Sequence, residues 1–200
     1  MKSACIGTLL VWLCIAGPAY AGDAAAGAQK AAVCGACHGA NGSSINPEWP
    51  SLAGQHESYV AEQLAHFKEG ARLNALMSPM ALALTEADMQ DLGAWFARQT
   101  PAGLEADPSN WKNGEKLYRG GDIERGIPAC IACHGPQGKG NSPARYPALR
   151  AQHGVYAYNQ LRAFADGSRR TPGNDIMQVV ASKLTDVEMR ALASYLQGLR

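Results

Sequence analysis

Two five-residue segments carry the residues best suited to chemistry. They are Cys34-Gly35-Ala36-Cys37-His38 and Cys130-Ile131-Ala132-Cys133-His134, 96 positions apart. Cysteines separated by two residues and followed directly by histidine form the attachment pattern of a c-type haem. Both thiols become thioethers, and the histidine lies beneath the iron as its proximal ligand. Three other chemistries use the same residue types, and each lacks a part. A structural zinc site needs four ligands close together; each segment supplies two cysteines and one histidine, with His56 or His153 as a fourth. A thioredoxin-like pair needs a βαβ setting, and no run of alternating β-branched residues supplies strands. A disulfide between residues two apart closes almost no loop and stabilises little. The spacing therefore predicts two covalently bound haem c groups, on Cys34 and Cys37 and on Cys130 and Cys133. His38 and His134 are the expected axial ligands.

The other axial position decides what such an iron does. An open position admits small-molecule chemistry; a methionine thioether closes it and raises the reduction potential, which suits electron transfer. The candidates are Met77, Met80 and Met89 in the first half, and Met177 and Met189 in the second. Met80 aligns with Val180. Met89 and Met189 lie on apolar helix faces, where packing is the better reading. Met77 and Met177 each sit in an irregular segment eight residues before a threonine. They are assigned as the sixth ligands, with Met80 the rival in the first half. His56 and His153 also match, each ahead of a helix, where capping or a hydrogen bond to the haem edge is favoured over ligation. His66 has no counterpart and reads as a surface residue. A metal-bound histidine is oriented through its other ring nitrogen. Pro50 and Pro147, matched and just after each motif, are the candidates to accept that proton through their carbonyls.

The elements that must hold these groups repeat as well. Pro50-Ser51-Leu52 matches Pro147-Ala148-Leu149, Gln55-His56 matches Gln152-His153, and Tyr59 matches Tyr156. Gln63-Leu64 and Phe67 match Gln160-Leu161 and Phe164; Leu84-Thr85 and Met89 match Leu184-Thr185 and Met189. The chain is a tandem duplication. Thr85 and Thr185 open capping boxes, with Asp88 standing where Glu188 stands in the second. A helix follows each, with Met89, Leu92 and Phe96 on one face of the first and Met189, Leu192, Leu196 and Leu199 on one face of the second. Further helices are predicted over Ser58–Lys68, over Val155–Ala165, and before each cysteine motif. The fold class is all-α. The domains are expected at 22–99 and 109–200, joined by a proline- and glycine-bearing linker at 100–108.

The first 21 residues read as a secretory signal. Lys2 precedes an apolar run from Ile6 to Ala16, and Ala19-Tyr20-Ala21 has the small-x-small form of a cleavage site. The run is shorter than the ~20 apolar residues of a membrane span. Cleavage after Ala21 removes Cys5 and Cys14, leaving the four motif cysteines. It leaves 17 basic and 17 acidic residues, a balance that excludes binding of nucleic acid by bulk charge. The halves differ sharply, however. Residues 22–108 hold four basic and ten acidic side chains, −6; residues 109–200 hold thirteen and seven, +6. Positive surroundings disfavour ferric iron, so the second haem is expected at the higher potential.

These residues resemble the di-haem cytochrome c4 family, two class I cytochrome c domains in tandem. The marks are the paired motifs, Pro50-Ser51-Leu52-Ala53-Gly54-Gln55, and Leu117-Tyr118-Arg119-Gly120-Gly121. Arg150-Ala151 departs from the Ala-Gly or Gly-Gly expected before Gln152. The resemblance implies domains related by a pseudo-twofold axis with haem propionates facing. It also implies a periplasmic carrier that passes electrons to a terminal oxidase, with a membrane quinol-oxidising complex as donor. The alternatives are a di-haem enzyme, such as a peroxidase or a sulfur or nitrogen oxidoreductase, and the haem subunit of a larger dehydrogenase. The enzyme would need an open iron, against which both methionines argue.

Overall fold

The computed structural model describes residues 21–199. The signal segment, with Cys5 and Cys14, lies outside the described residues except for Ala21. The first half contains α1 (Ala24–Lys30), α2 (Gly35–His38), α3 (Glu57–Glu69), α4 (Met77–Leu82) and α5 (Glu86–Ala97). The second contains α6 (Trp111–Gly120), α7 (Ile131–His134), α8 (Gly154–Ala165), α9 (Ile176–Ala181) and α10 (Asp186–Gly198). Among the described residues there are no strands, only isolated bridges such as Asp122 with Ile127. The all-α expectation holds.

Both capping boxes form. Thr85 Oγ1 accepts from Asp88 N, and Asp88 Oδ2 accepts from Thr85 N; Thr185 and Glu188 repeat the exchange. Each satisfies two of the helix's orphan donors. The aspartate at position 88 serves as well as the glutamate.

The last helix of each half is crossed by its first. This crossing needs glycine. A Cβ on Gly27 would lie 2.0 Å from the Asp91 carbonyl oxygen, and one on Gly114 would lie 2.0 Å from that of Ala191. The two backbones touch there. The offset between these glycines is 114 − 27 = 87, against 96 for the cysteine motifs. Nine extra residues therefore precede the second motif, where the Asp122–Ile127 bridge closes a turn.

Each half keeps its own core. Ala31, Val60, Leu92 and Phe96 pack together in the first; Leu117, Tyr118, Leu192, Leu196 and others pack in the second. Burial of each large apolar side chain is worth about 1.5–3 kcal/mol. Met89 and Met189 belong to this packing at 4% and 5% exposure, as their helix faces predicted. The stretch 100–108 has no helix, yet it is held to α10. Asp107 N donates to Ser194 Oγ at 2.9 Å, and Gln197 Nε2 donates to the Glu105 carbonyl at 2.5 Å.

The halves meet through contacts that come in pairs. Gln55 bonds the backbone of Ala148, and Gln152 bonds the backbone of Ser51. Gln55 matches Gln152 in the repeat, and Ser51 matches Ala148, so exchanging the halves maps one contact onto the other. That is the signature of a pseudo-twofold relation. The charge difference contributes little directly. Arg145 and Glu62 pair across the interface at 3.2 Å with Arg145 largely exposed, a pair worth about 0–1 kcal/mol.

Candidate di-haem site

The cysteine motifs are single helical turns. His38 N bonds the Cys34 carbonyl at 2.9 Å, and His134 N bonds that of Cys130 at 2.9 Å. On a helix, residues at i, i+3 and i+4 share one face. Cys34, Cys37 and His38 therefore project together, as do Cys130, Cys133 and His134. Gly39 and Gly135 stop the turns with φ of 81° and 75°. At Gly39 a side chain is doubly excluded, because its Cβ would lie 2.1 Å from the Ser43 carbonyl oxygen.

All four thiols are free. Burial pushes the Cys34 thiol up, and pushes Cys130 up to about 11. Neither Cys34 nor Cys130 has the lowered pKa of a redox-active or catalytic cysteine.

His38 and His134 are both 6% exposed. Nδ1 of His38 donates to the Pro50 carbonyl at 2.8 Å, and Nδ1 of His134 donates to that of Pro147 at 2.9 Å. A carbonyl only accepts, so the proton sits on Nδ1 and the Nε2 lone pair stays free. Burial holds both rings below the ordinary histidine range, against a weaker opposing pull from the proline carbonyls. The result is a neutral, oriented imidazole one turn from two free thiols, twice. This donor set fits a c-type haem. It does not fit zinc, because no three His, Cys, Asp or Glu side chains among the described residues gather into a metal cage.

Met77 opens α4, and Met177 is the second residue of α9. Both are half-buried. The segments expected to be irregular are thus short helices, and the reason lies in two asparagines that the sequence reading passed over. Asn74 Oδ1 accepts from Leu76 N at 3.0 Å and Met77 N at 2.9 Å; Asn174 Oδ1 accepts from Ile176 N at 3.0 Å. Asparagine satisfies the orphan donors of a helix start. Both lie three residues before their methionine, a repeated signal that could have been read. Pro79 sits within the first turn of α4, where its missing N–H costs nothing. Met80 is 47% exposed.

His56 and His153 occupy the N-cap positions of α3 and α8, but neither side chain caps. His153 Nε2 instead donates to the Ser44 carbonyl of the other half at 2.7 Å. This corrects the capping expectation. His66 lies on α3, partly exposed.

The interface holds two further residues that the sequence reading missed. Arg72 Nη2 donates to Tyr156 Oη at 3.0 Å and Gln160 Oε1 at 2.9 Å; Arg169 Nη2 donates to Tyr59 Oη at 2.8 Å and Gln63 Oε1 at 3.2 Å. Each guanidinium also stacks on its own half's ring, Arg72 at 4.6 Å from Phe67 and Arg169 at 4.5 Å from Phe164. The two arginines match at the same offset of 97 as Tyr59 and Tyr156, and that offset was the available signal.

Known proteins agree with this geometry. The cytochrome c family model matches residues 24–99 and again residues 111–200. The chain is 46% identical over 203 residues to cytochrome c4 of Azotobacter vinelandii, covering 96% of this chain and 97% of that protein. It is 42% identical over 177 residues to a thiosulfate dehydrogenase electron acceptor of Thiomonas intermedia, covering 86% of this chain and 81% of that protein. The crystal structure of reduced recombinant cytochrome c4 from Pseudomonas stutzeri superposes with a TM-score of 0.88 at 44% identity, covering 90% of this chain and 100% of that one. Two tandem cytochrome c domains, matched over nearly their whole length, place the chain in the cytochrome c4 family of electron-transfer cytochromes.

Proposed function

We propose that this chain is a periplasmic electron carrier with two covalent haem c groups. It takes electrons from a membrane quinol-oxidising complex and delivers them to a respiratory terminal oxidase. Cys34 and Cys37 would hold one haem and Cys130 and Cys133 the other, with His38 and Met77, and His134 and Met177, as axial ligands. The observation that carries the reading is the repeated donor set: a buried neutral histidine, tied at Nδ1 and free at Nε2, one turn from two free thiols.

When bound, each haem supplies a one-electron ferric/ferrous couple. The chain's own residues do the rest. Pro50 and Pro147 fix which ring nitrogen of each histidine is available. Asn74 and Asn174 start the short helices that carry the methionines. Arg169, buried, and Arg72, half-buried, would offer positive charge at the interface to the haem propionates that the family resemblance places there. Neither iron keeps an open position in this scheme, so the protein moves electrons without transforming a substrate.

The compartment rests on reading the first 21 residues as a secretory signal cleaved after Ala21. A Cβ at position 22 would lie 2.2 Å from the Gln90 carbonyl oxygen, so glycine is required there. Gly22 N lies 2.8 Å from Glu57 Oε1. Cleavage after Ala21 would turn that nitrogen into an ammonium already facing a carboxylate.

A second donor is favoured by the Thiomonas relative, named for accepting electrons from thiosulfate dehydrogenase. The carrier chemistry would be the same. Reduction of the purified protein by a quinol-oxidising complex, against reduction by a thiosulfate dehydrogenase, separates the two donors.

The ligation is tested by the weak near-infrared absorption from thioether sulfur to ferric iron, normalised to haem. Intensity for two bonds is expected, falling by half in Met77→Ala and in Met177→Ala and unchanged in Met80→Ala. Intensity for one bond or none in the unaltered protein overturns the reading and brings the enzyme alternative forward.

A further inference from the structure

We propose that Gln152 and Gln55 are positioning residues, each setting the strength of the proximal-histidine hydrogen bond in the opposite domain. The proposal rests on His38 and His134 being axial ligands.

The geometry concerns one peptide group in each half. The carbonyl of the Pro50–Ser51 peptide accepts His38 Nδ1–H at 2.8 Å. The N–H of that same peptide donates to Gln152 Oε1, from the other domain, at 2.9 Å. The second half repeats this. The Pro147–Ala148 peptide accepts His134 Nδ1–H through its carbonyl at 2.9 Å and donates its N–H to Gln55 Oε1 at 2.9 Å. A chain of hydrogen bonds thus runs from each glutamine, through a single amide, to the imidazole of the domain it does not belong to.

Both glutamines are held for the task. Gln152 Nε2 donates to the Ser51 carbonyl at 3.0 Å, and Gln55 Nε2 donates to that of Ala148 at 2.9 Å. Each Oε1 also accepts from the next backbone N–H in its own chain segment, His153 at 3.1 Å and His56 at 3.0 Å. Three bonds fix each side-chain amide, and Gln55 is 8% exposed.

An amide whose N–H is engaged by an acceptor becomes a better acceptor at its own carbonyl, because the group polarises as a unit. Such cooperativity is of order 10–30% per bond. A stronger acceptor draws the Nδ1 proton and makes the imidazole more basic. A more basic axial imidazole stabilises ferric over ferrous iron and lowers the potential. Each glutamine therefore lowers the potential of the haem across the interface. Domain association and redox tuning become one property, since separating the domains removes both glutamines from their peptides.

The experiment uses the full holoprotein with Gln152→Leu and, separately, Gln55→Leu. Leucine keeps bulk and keeps water from replacing the lost acceptor. Two potentials are measured by spectroelectrochemical titration, each haem assigned by its hyperfine-shifted NMR resonances. The Nδ1–H resonances of both histidines are followed in the ferrous protein. Gln152→Leu is expected to raise the potential of the haem on Cys34 and Cys37, and to move His38 Nδ1–H upfield with faster solvent exchange. The other haem stays as it was. Gln55→Leu is expected to do the reverse. Gln152→Glu, whose carboxylate accepts more strongly from Ser51 N–H, should lower the first haem's potential more than the second's, and it serves if the leucine variants fail to fold.

Equal shifts at both haems would show general loosening of the interface and overturn the proposal. So would a shift confined to the mutated domain, or no shift at all. If His38 and His134 ring protons carry no hyperfine shift in the ferric unaltered protein, the ligand assignment itself has failed. If they do, and the variants leave both potentials in place, only the cross-domain relay has failed.

Discussion

Gly114→Ala and Gly120→Ala add the same methyl group to the same helix, α6, and should move stability in opposite directions. At Gly114 the new Cβ would lie 2.0 Å from the Ala191 carbonyl oxygen, 2.4 Å from its carbon and 2.9 Å from Leu192 N. Ordinary contact begins at about 3.4 Å, so α6 and α10 must part by about 1.4 Å. The obstacle is helical backbone, and no flexible side chain can yield. Separation strips contacts from Leu117, Tyr118, Leu192 and Leu196 in the core beneath. Overpacking of this kind costs about 1–3 kcal/mol and occasionally more. The gain in helix propensity returns about 1 kcal/mol. Because the whole crossing must move, the cost falls at the top of that range, and we expect a net loss of about 2 kcal/mol. At Gly120 nothing lies within 4 Å of the added Cβ, so only the propensity gain remains, about 0.5–1 kcal/mol of stabilisation. Guanidinium unfolding followed by far-ultraviolet circular dichroism measures both, with the covalent haems in place. A Gly114→Ala protein as stable as the parent would refute the claim that backbone contact sets the crossing.

Thr185→Ala should cost about 1 kcal/mol by removing the α10 cap, read in the same unfolding assay, with Thr185→Ser nearly neutral. Glu188 is held at about 2 against an ordinary 4.5, chiefly by Arg125 and then by Thr185. The ionised form is favoured in the fold, so its contribution is present above pH 4.5 and is lost as pH falls toward 2. The stability difference between the parent and Glu188→Gln should shrink over that window, and a constant difference would contradict the assignment. Gly54→Ala should destabilise by about 1–2 kcal/mol, because Gly54 has φ of 68° and the new Cβ would meet Pro101 Cγ at 2.8 Å. Ala151, its counterpart, already takes φ of 53° with its methyl buried. There the relief of strain and the lost packing offset, and Ala151→Gly should change stability by less than about 1 kcal/mol. Finally, the haem on Cys130 and Cys133 should have the higher potential, from the +6 and −6 halves. Potentiometry placing the first haem at an equal or higher potential would sink that reasoning.

The sequence was most informative where structure is written locally. The spacing in Cys34–His38 already contains its helical turn, and Thr85 and Thr185 with their partners three residues on already contain two helix starts. The duplication amplified each signal, since a feature seen twice at one offset is seldom accidental. The local readings that went astray did so where one residue type has several uses. Asn74 and Asn174 open helices where the sequence pattern predicts irregular chain. His56 and His153 stand at helix starts, yet His153 spends its Nε2 on a carbonyl of the other domain. Ala151 took the left-handed conformation that its position demands, although the residue gives no hint of it.

By itself, the sequence determined the all-α class, the two repeated halves, the thiol and histidine donors, and the family, because these depend on residue type and short spacing along one chain. Only the tertiary structure decided how the halves speak to each other. Gln152 meets Ser51 and Arg169 meets Tyr59 across roughly a hundred residues, and nothing in the local pattern of either partner encodes the other. Such contacts follow from the shape of two packed cores and from the demand that every polar group buried between them find a partner. That demand brings a glutamine from one domain onto the peptide that orients the histidine of the other.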